Sequence, residues 1–177
     1  IEDLFSILEF ETDFTSVWMA KKNLDFLVLE KIASKQSDAE GIISRTHKIL
    51  INKLDRPSLF AKLLELPSDN EYFYKLLETE TPDPKTIKMN LRKYRSLYRK
   101  HFKNFSISYF ENFVNQKLYL RSNSSYQERA LASALMFLNK DTNYLNDFLN
   151  VIFYDSNYMS LKTSCLISYI VKKDQIE

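Results

Sequence analysis

The residues best able to bind another molecule are eight lysines and arginines in the segment KTIKMNLRKYRSLYRKHFK, which spans residues 85–103. No acidic residue occurs in this segment or onward to Phe110, so the stretch carries a charge of +8. Because the formal net charge of the whole chain is +2, the remaining residues carry −6. Concentrated positive charge attracts carboxylates, phosphates and other anions. The chemistry that the sequence favours is therefore the binding of an anionic partner.

Five of these cations fall on one side of an α-helix, because they recur at intervals of three or four residues. They are Lys88, Arg92, Arg95, Arg99 and Lys103. Most of the large apolar residues of the segment occupy the opposite side, namely Ile87, Leu91, Tyr94, Tyr98 and Phe102. Such a helix buries its apolar side and exposes its basic side, which we name the basic stripe. We predict that the basic stripe is the partner-binding site.

Two interpretations of the basic stripe stay open at this stage. It is either a solvated helix face neutralised within the fold or a surface that binds anions. Residues 1–40 hold nine acidic and four basic residues, so they provide carboxylates that would mask the stripe. For the binding role we predict a protein partner with an acidic segment, and nucleic-acid binding through residues 85–103 is the alternative. Tyr94 and Tyr98 oppose the stripe, so we expect them in the core and not stacked on bases.

The side chains that usually carry out catalysis or hold metals are scarce. The histidines are His47 and His101, the one cysteine is Cys165, and all three are far apart in the sequence. Zinc sites usually use ligand pairs at short spacing, and a nucleophile needs an adjacent base. We therefore expect half-buried structural histidines and a core cysteine, and we predict no enzyme activity, metal, cofactor or small-molecule substrate.

Glycine is almost absent, since Gly41 is the one glycine among 177 residues. Loops that wrap phosphate groups need at least two glycines at fixed spacing, which excludes a Walker loop and a dinucleotide fingerprint. A many-stranded sandwich or barrel is also disfavoured, because its tight turns use glycine at positive φ. Helix ends must then rely on asparagines such as Asn123 or Asn139, or on water.

Helix-start signals recur along the chain. Four Ser-x-x-Glu pairs have the pattern of a capping box, in which serine and glutamate satisfy the first backbone N–H groups of a helix. They are Ser37 with Glu40, Ser68 with Glu71, Ser108 with Glu111, and Ser125 with Glu128. Apolar periodicity and the prolines predict helices over residues 16–34, 38–54, 57–66, 68–77, 84–103, 108–120, 125–138, 142–153 and 156–173, with a short one within 1–14.

The last three predicted helices, Ser125–Leu138, Thr142–Phe153 and Ser156–Lys173, are short, evenly spaced and joined by tight turns. This pattern of helix lengths, over about a quarter of the chain, resembles the armadillo or HEAT class of α-helical repeats. A superhelical adaptor fold and an irregular helical bundle have similar patterns. We predict an all-α fold, a right-handed superhelical or repeat-like array of about eight to ten helices. The resemblance implies a scaffold that presents a surface to protein partners.

The domain organisation expected is an acidic amphipathic segment at residues 1–14 and a single α-helical domain at 15–177, with a possible sub-boundary at 79–84.

No apolar run approaches the ~20 residues that span a bilayer. Cys165 cannot form an internal disulfide, which favours a reducing compartment. We therefore interpret the chain as a non-catalytic interaction module of a larger intracellular protein, nuclear or cytoplasmic.

Overall fold

The chain folds into α-helices connected by short turns. A computed structural model describes residues 1–78, 81–120, 123–140 and 142–173, the side chains of 171–173 excepted. Within these ranges it contains nine α-helices, a short 3-10 helix at Asn143–Leu145 and no strand. The α-helices are α1 Glu2–Phe10, α2 Phe14–Ala33, α3 Ala39–Ile51, α4 Pro57–Leu63, α5 Asp69–Leu77, α6 Pro84–Asn115, α7 Tyr126–Leu138, α8 Asn146–Asp155 and α9 Met159–Lys173. The predicted all-α fold is thus confirmed.

The helices are distributed over two compact units. Unit 1 comprises Ile1–Leu54 and Glu65–His101, and unit 2 comprises Asp55–Leu64 with the described residues of Phe102–Glu177. The predicted sub-boundary at 79–84 includes Thr79 and Glu80, which lie outside the described residues. That boundary and the division at residue 14 stay predictions.

Each unit has its own apolar core. In unit 1, α1 packs on α2 and α3, and it buries Phe5 and Leu8. In unit 2, α4 packs on α7, while α9 packs on both α7 and α8. α6 contributes its apolar side to the core of unit 1 through Leu91 and Tyr94, and to that of unit 2 through Phe110.

Two of the four predicted capping boxes start helices. The Ser68–Glu71 pair caps α5 and the Ser125–Glu128 pair caps α7, each with both reciprocal hydrogen bonds. The other two were wrong. Asp38, not Ser37, precedes α3. Ser108 lies inside α6, where the backbone N–H groups already have helical partners.

The largest difference from the predicted helices is that α6 is one helix of 32 residues, Pro84–Asn115. The sequence predicted two helices, ending near Lys103 and beginning at Ser108. No proline or glycine lies between these positions, and the buried side continues through Phe102, Ser106 and Phe110. The Ser106 hydroxyl is satisfied inside the helix, because it donates to the carbonyl of Phe102 at 2.9 Å. A helix continues where its apolar side stays in phase with the core.

Two helix ends use lysine in the left-handed conformation that glycine usually adopts. Lys35 after α2 has φ 56° and Lys117 after α6 has φ 52°. Beyond Lys117, the N–H of Leu118 donates to the carbonyl of Phe113 at 2.9 Å, which is the bond of a Schellman motif. The predicted asparagines also lie at helix ends: Asn139 ends α7, and the Asn123 side chain donates to the carbonyl of Lys117 after α6.

We expect Lys117→Gly to stabilise unit 2 by about 1 kcal/mol, because it removes the crowding of Cβ in a left-handed residue. The exposed Lys117 side chain contributes little packing to offset this gain. Urea denaturation of wild type, Lys117→Gly and the control Lys117→Ala would measure it. Alanine keeps the Cβ and should give no gain. A glycine variant less stable than wild type would contradict the role assigned to this backbone conformation.

Candidate functional site on helix α6

The basic stripe lies on the outward side of α6, because the opposite side is buried. Leu91, Tyr94 and Tyr98 have at most 1% of their surface exposed. Lys88 and Arg92, one turn apart, are exposed to solvent. Among the residues that the structure describes, no carboxylate forms an ion pair with either cation. These two side chains form the open part of the stripe.

The Arg95 side chain already has hydrogen-bond partners within unit 1. Its Nη2 donates to the carbonyl of Pro67 at 3.2 Å and to Oδ1 of Asp69 at 3.0 Å. Both acceptors lie at the start of α5, where Ser68 is the N-cap. Arg95 therefore ties α6 to the start of α5, and an incoming anion would have to compete with Asp69.

The remaining two predicted residues already make contacts within the fold. Arg99 is half-buried and makes further interactions within the fold. Lys103, in unit 2, places its ammonium 5.6 Å from the centre of the Tyr144 ring, which is a cation–π contact. All five predicted residues thus lie on α6, but their environments differ.

The acidic N-terminal region neutralises part of the charge of α6 through Glu40. Lys100 donates to Oε1 of Glu40 at 2.8 Å, and this contact lowers the pKa of Glu40. Glu2 instead binds Arg45 on α3 at 2.7 Å. Lys100 is not a member of the basic stripe, so this ion pair leaves Lys88 and Arg92 open.

The fold brings together the two histidines that are distant in the sequence. His47 on α3 and His101 on α6 have ring centres 6.2 Å apart, and Nε2 of His101 lies 3.7 Å from Oε1 of Glu40. Both rings are half-buried, as the sequence predicted. Burial lowers the pKa of His47, and the neighbouring His101 and Lys48 lower it further. Across the described residues, His, Cys, Asp and Glu form no group of three or more that could hold a metal ion.

This histidine pair predicts a pH dependence of stability. Because the folded state depresses the pKa of His47 below 6.5, the unfolded chain binds the proton more readily, and stability falls as the pH decreases from about 7 to 5. We expect the fall in urea midpoint over this range to be smaller in His47→Asn than in wild type. Glu40 does not contribute over this range, because the contact with Lys100 lowers its pKa and it stays ionised until lower pH. Equal pH profiles for the two proteins would contradict the assignment.

A buried polar network behind the stripe was not predicted from the sequence. Lys21 and Asp25 on α2 form an ion pair of 2.5 Å with at most 5% of either side chain exposed. The Tyr94 hydroxyl donates to the other carboxylate oxygen at 2.6 Å, and Lys21 also donates to the carbonyl of Glu65 at 3.3 Å. The Lys21 ammonium lies 4.9 Å from the centre of the Tyr98 ring. Burial raises the pKa of Asp25 despite the adjacent lysine.

A sequence signal for this network existed. Lys21 and Asp25 are separated by four residues and lie on the side of α2 that also carries Val17, Leu24 and Val28. A lysine and an aspartate at this spacing, on an apolar helix face, indicate a buried ion pair. The network fixes α2 against Tyr94, and so holds the helix that carries the basic stripe.

Comparison with known proteins matches the chain to a protein family. The model of a family described as "Domain of unknown function (DUF3458_C) ARM repeats" matches residues 1–173. Neither the curated proteins nor the solved structures include a match to this chain. None of the described helices combines the length and apolar character needed to cross a membrane. The armadillo-type resemblance of the C-terminal helices therefore extends, by this match, over nearly the whole chain.

Proposed function

Because the chain belongs to the DUF3458_C family of ARM-repeat domains, we propose that it is a non-catalytic protein-interaction module that binds an acidic partner segment through the basic stripe of α6. Helical-repeat domains typically bind partners on the extended surfaces that their stacked helices create. The observation that carries the proposal is the exposure of Lys88 and Arg92 on a segment with a charge of +8. The compartment in which the module works stays a prediction, intracellular and either nuclear or cytoplasmic.

Charge density supports an anionic partner. The helix contains like charges four residues apart, such as Lys88 with Arg92 and Arg95 with Arg99. Such pairs destabilise a helix by a few tenths of a kcal/mol each. Asp69 relieves the repulsion at Arg95, whereas Lys88 and Arg92 are solvent-exposed. Carboxylates of a bound partner would relieve it there.

A protein partner fits the stripe better than nucleic acid does. Proteins that bind single strands stack bases on aromatic side chains in a basic groove. The aromatic residues of this segment, Tyr94, Tyr98 and Phe102, are buried on the side of α6 opposite the cations. Nucleic-acid binding through residues 85–103 would then depend on phosphate contacts alone, and it is kept as an outcome of the test.

The test uses the double charge reversal Lys88→Glu/Arg92→Glu. We expect its affinity for a fluorescein-labelled peptide of alternating aspartate and leucine to be about tenfold or more below that of wild type. Arg95 is left unchanged, because its reversal would also break the contacts to Pro67 and Asp69. The matched control is Lys35→Glu/Lys48→Glu, which changes the net charge equally at exposed positions outside α6.

Fluorescence anisotropy at about 50 and 200 mM salt would measure binding to the peptide and to short single-stranded and duplex DNA. Equal loss of affinity in the two double variants would show that net charge, and not the stripe, governs binding. Tighter, steeply salt-dependent binding to DNA than to the peptide would favour the nucleic-acid alternative. No binding to any of the probes would leave the stripe as a solvated face and overturn the proposal.

A further inference from the structure

The helices α7 and α9 of unit 2 are related by a shift of thirty residues. Leu131 and Leu135 on α7 correspond to Leu161 and Cys165 on α9, and all four are buried. Asn139, the residue that ends α7, lies next on this side, and Tyr169 is its counterpart on α9.

Hydrogen bonds at residues 139 and 169 join each helix to the helix that precedes it in the chain. The Asn139 side chain donates to the hydroxyl of Ser106 on α6 at 3.0 Å. Thirty residues later, the Tyr169 hydroxyl donates to the carboxamide oxygen of Asn150 on α8 at 2.5 Å. The second half of α6 with α7, and α8 with α9, are thus two successive helix pairs.

A second side of α7, which we name its front, is covered by α9. Ser133 and Ser164 place their hydroxyl oxygens 3.0 Å apart, and the Met136 sulfur lies 3.8 Å from that of Cys165. The Ser168 hydroxyl approaches the Met136 carbonyl at 3.5 Å. Residue numbers rise together along the two helices, so α9 lies parallel to α7. The small serines of α9 allow this close approach.

The shift of thirty residues identifies the front of α9. Ser133 and Met136 on the front of α7 correspond to Thr163 and Leu166 on α9. The front of α9 continues one helical turn in each direction, to Met159 and to Ile170. Met136 is fully buried, whereas its counterpart Leu166 is 47% exposed. Met159 and Ile170 are 74% and 52% exposed. The side of α9 that corresponds to the front of α7 is therefore apolar and exposed to solvent.

We infer that the front of α9 is a stacking surface for a further helical repeat of the α8–α9 type, which lies on α9 as α9 lies on α7. Repeats in such arrays contact only their neighbours, and a terminal repeat needs a polar outer face to remain soluble. The front of α9, which consists of Met159, Thr163, Leu166 and Ile170, lacks that polar character. The occupant must present small residues at positions equivalent to Ser164 and Ser168, because these permit the close parallel approach. This inference does not depend on the basic stripe.

The test builds the occupant from the chain itself. A second copy of residues 144–173 is joined directly after Lys173, which preserves the spacing of thirty residues. We expect the thermal midpoint to rise by about 3 °C or more, because the copy would bury the front of α9. The matched control is the same extended chain with arginine in the copy at the two positions equivalent to Ser164 and Ser168. That control should show no rise.

Cross-linking tests the geometry. In an extended chain with Cys165→Ala in both copies, Thr163→Cys and cysteine at the copied Ser164 position would reproduce the Ser133–Ser164 contact. We expect a disulfide to form under mild oxidation. An unchanged midpoint in the extended chain, or a rise without the cross-link, would overturn the inference. So would concentration-dependent dimers of the unextended chain that Leu166→Asp abolishes in sedimentation, because the occupant would then be a second copy.

Discussion

Replacing Asp25 with alanine is expected to lower the free energy of unfolding by about 3–5 kcal/mol, the usual cost of leaving a buried charge without its partner. The variant would strand the ammonium of Lys21, which is 2% exposed, and would remove the acceptor of the Tyr94 hydroxyl. The carbonyl of Glu65 and the Tyr98 ring would remain near the ammonium, but neither supplies a compensating negative charge. Urea denaturation at pH 7 would measure the loss.

The reciprocal change is expected to cost less and to depend on pH. In Lys21→Met the carboxyl group of Asp25 can take up a proton, since burial already raises its pKa in the wild-type protein. A group whose pKa is higher in the folded state loses its contribution as the pH rises. Lys21→Met should therefore be less destabilised at pH 5 than at pH 7.

Two further variants keep this prediction testable if Asp25→Ala fails to fold. Asp25→Asn retains the shape and an acceptor for Tyr94, so it isolates the loss of the negative charge. Lys21→Met/Asp25→Leu/Tyr94→Phe removes every member of the network together, and apolar replacement of a buried ion pair is often neutral or stabilising. A loss below about 1 kcal/mol in Asp25→Ala would show that water reaches Lys21 and that the network is not dry.

This network marks where inference from the sequence stopped. The spacing of Val17, Leu24 and Val28 identifies the apolar side of the helix predicted over residues 16–34, but it does not assign the charged residues on that side to the core. A lysine and an aspartate have to meet an acceptor or donor from another element before they can be buried. That element is α6, 69 residues after Asp25, where Tyr94 lies. Local spacing does not report contacts of that range.

For the candidate site, too, the sequence predicted positions on the helix but not the tertiary contacts. The wheel positions that separated Lys88 and Arg92 from Tyr94 follow from the helix period alone, and the structure shows the same separation. Which cations already have partners depends on tertiary contacts. Asp69 reaches Arg95 from 26 residues away, and Tyr144 reaches Lys103 from 41 residues away. Neither contact has a signature in the spacing of charges.

Asn104→Pro is expected to lower the free energy of unfolding by about 3 kcal/mol or more, because Asn104 lies in the interior of α6. Proline there would remove the backbone hydrogen bond to the carbonyl of Lys100 and would clash with that carbonyl. Asn104 is exposed, so the loss would not reflect removal of core packing. The sequence, which predicted a break between Lys103 and Ser108, implies instead that proline at this position is tolerated.

The two alternatives for residues 104–107 therefore give opposite results for one substitution. Circular dichroism and urea denaturation of Asn104→Pro would separate them, with Asn104→Ala as the control for the side chain. Alanine should be neutral or stabilising by a few tenths of a kcal/mol, because it forms helices more readily than asparagine. A proline variant within about 1 kcal/mol of wild type would contradict a continuous α6. A continuous α6 requires the backbone hydrogen bonds to run unbroken past Ser106, whose hydroxyl binds the Phe102 carbonyl.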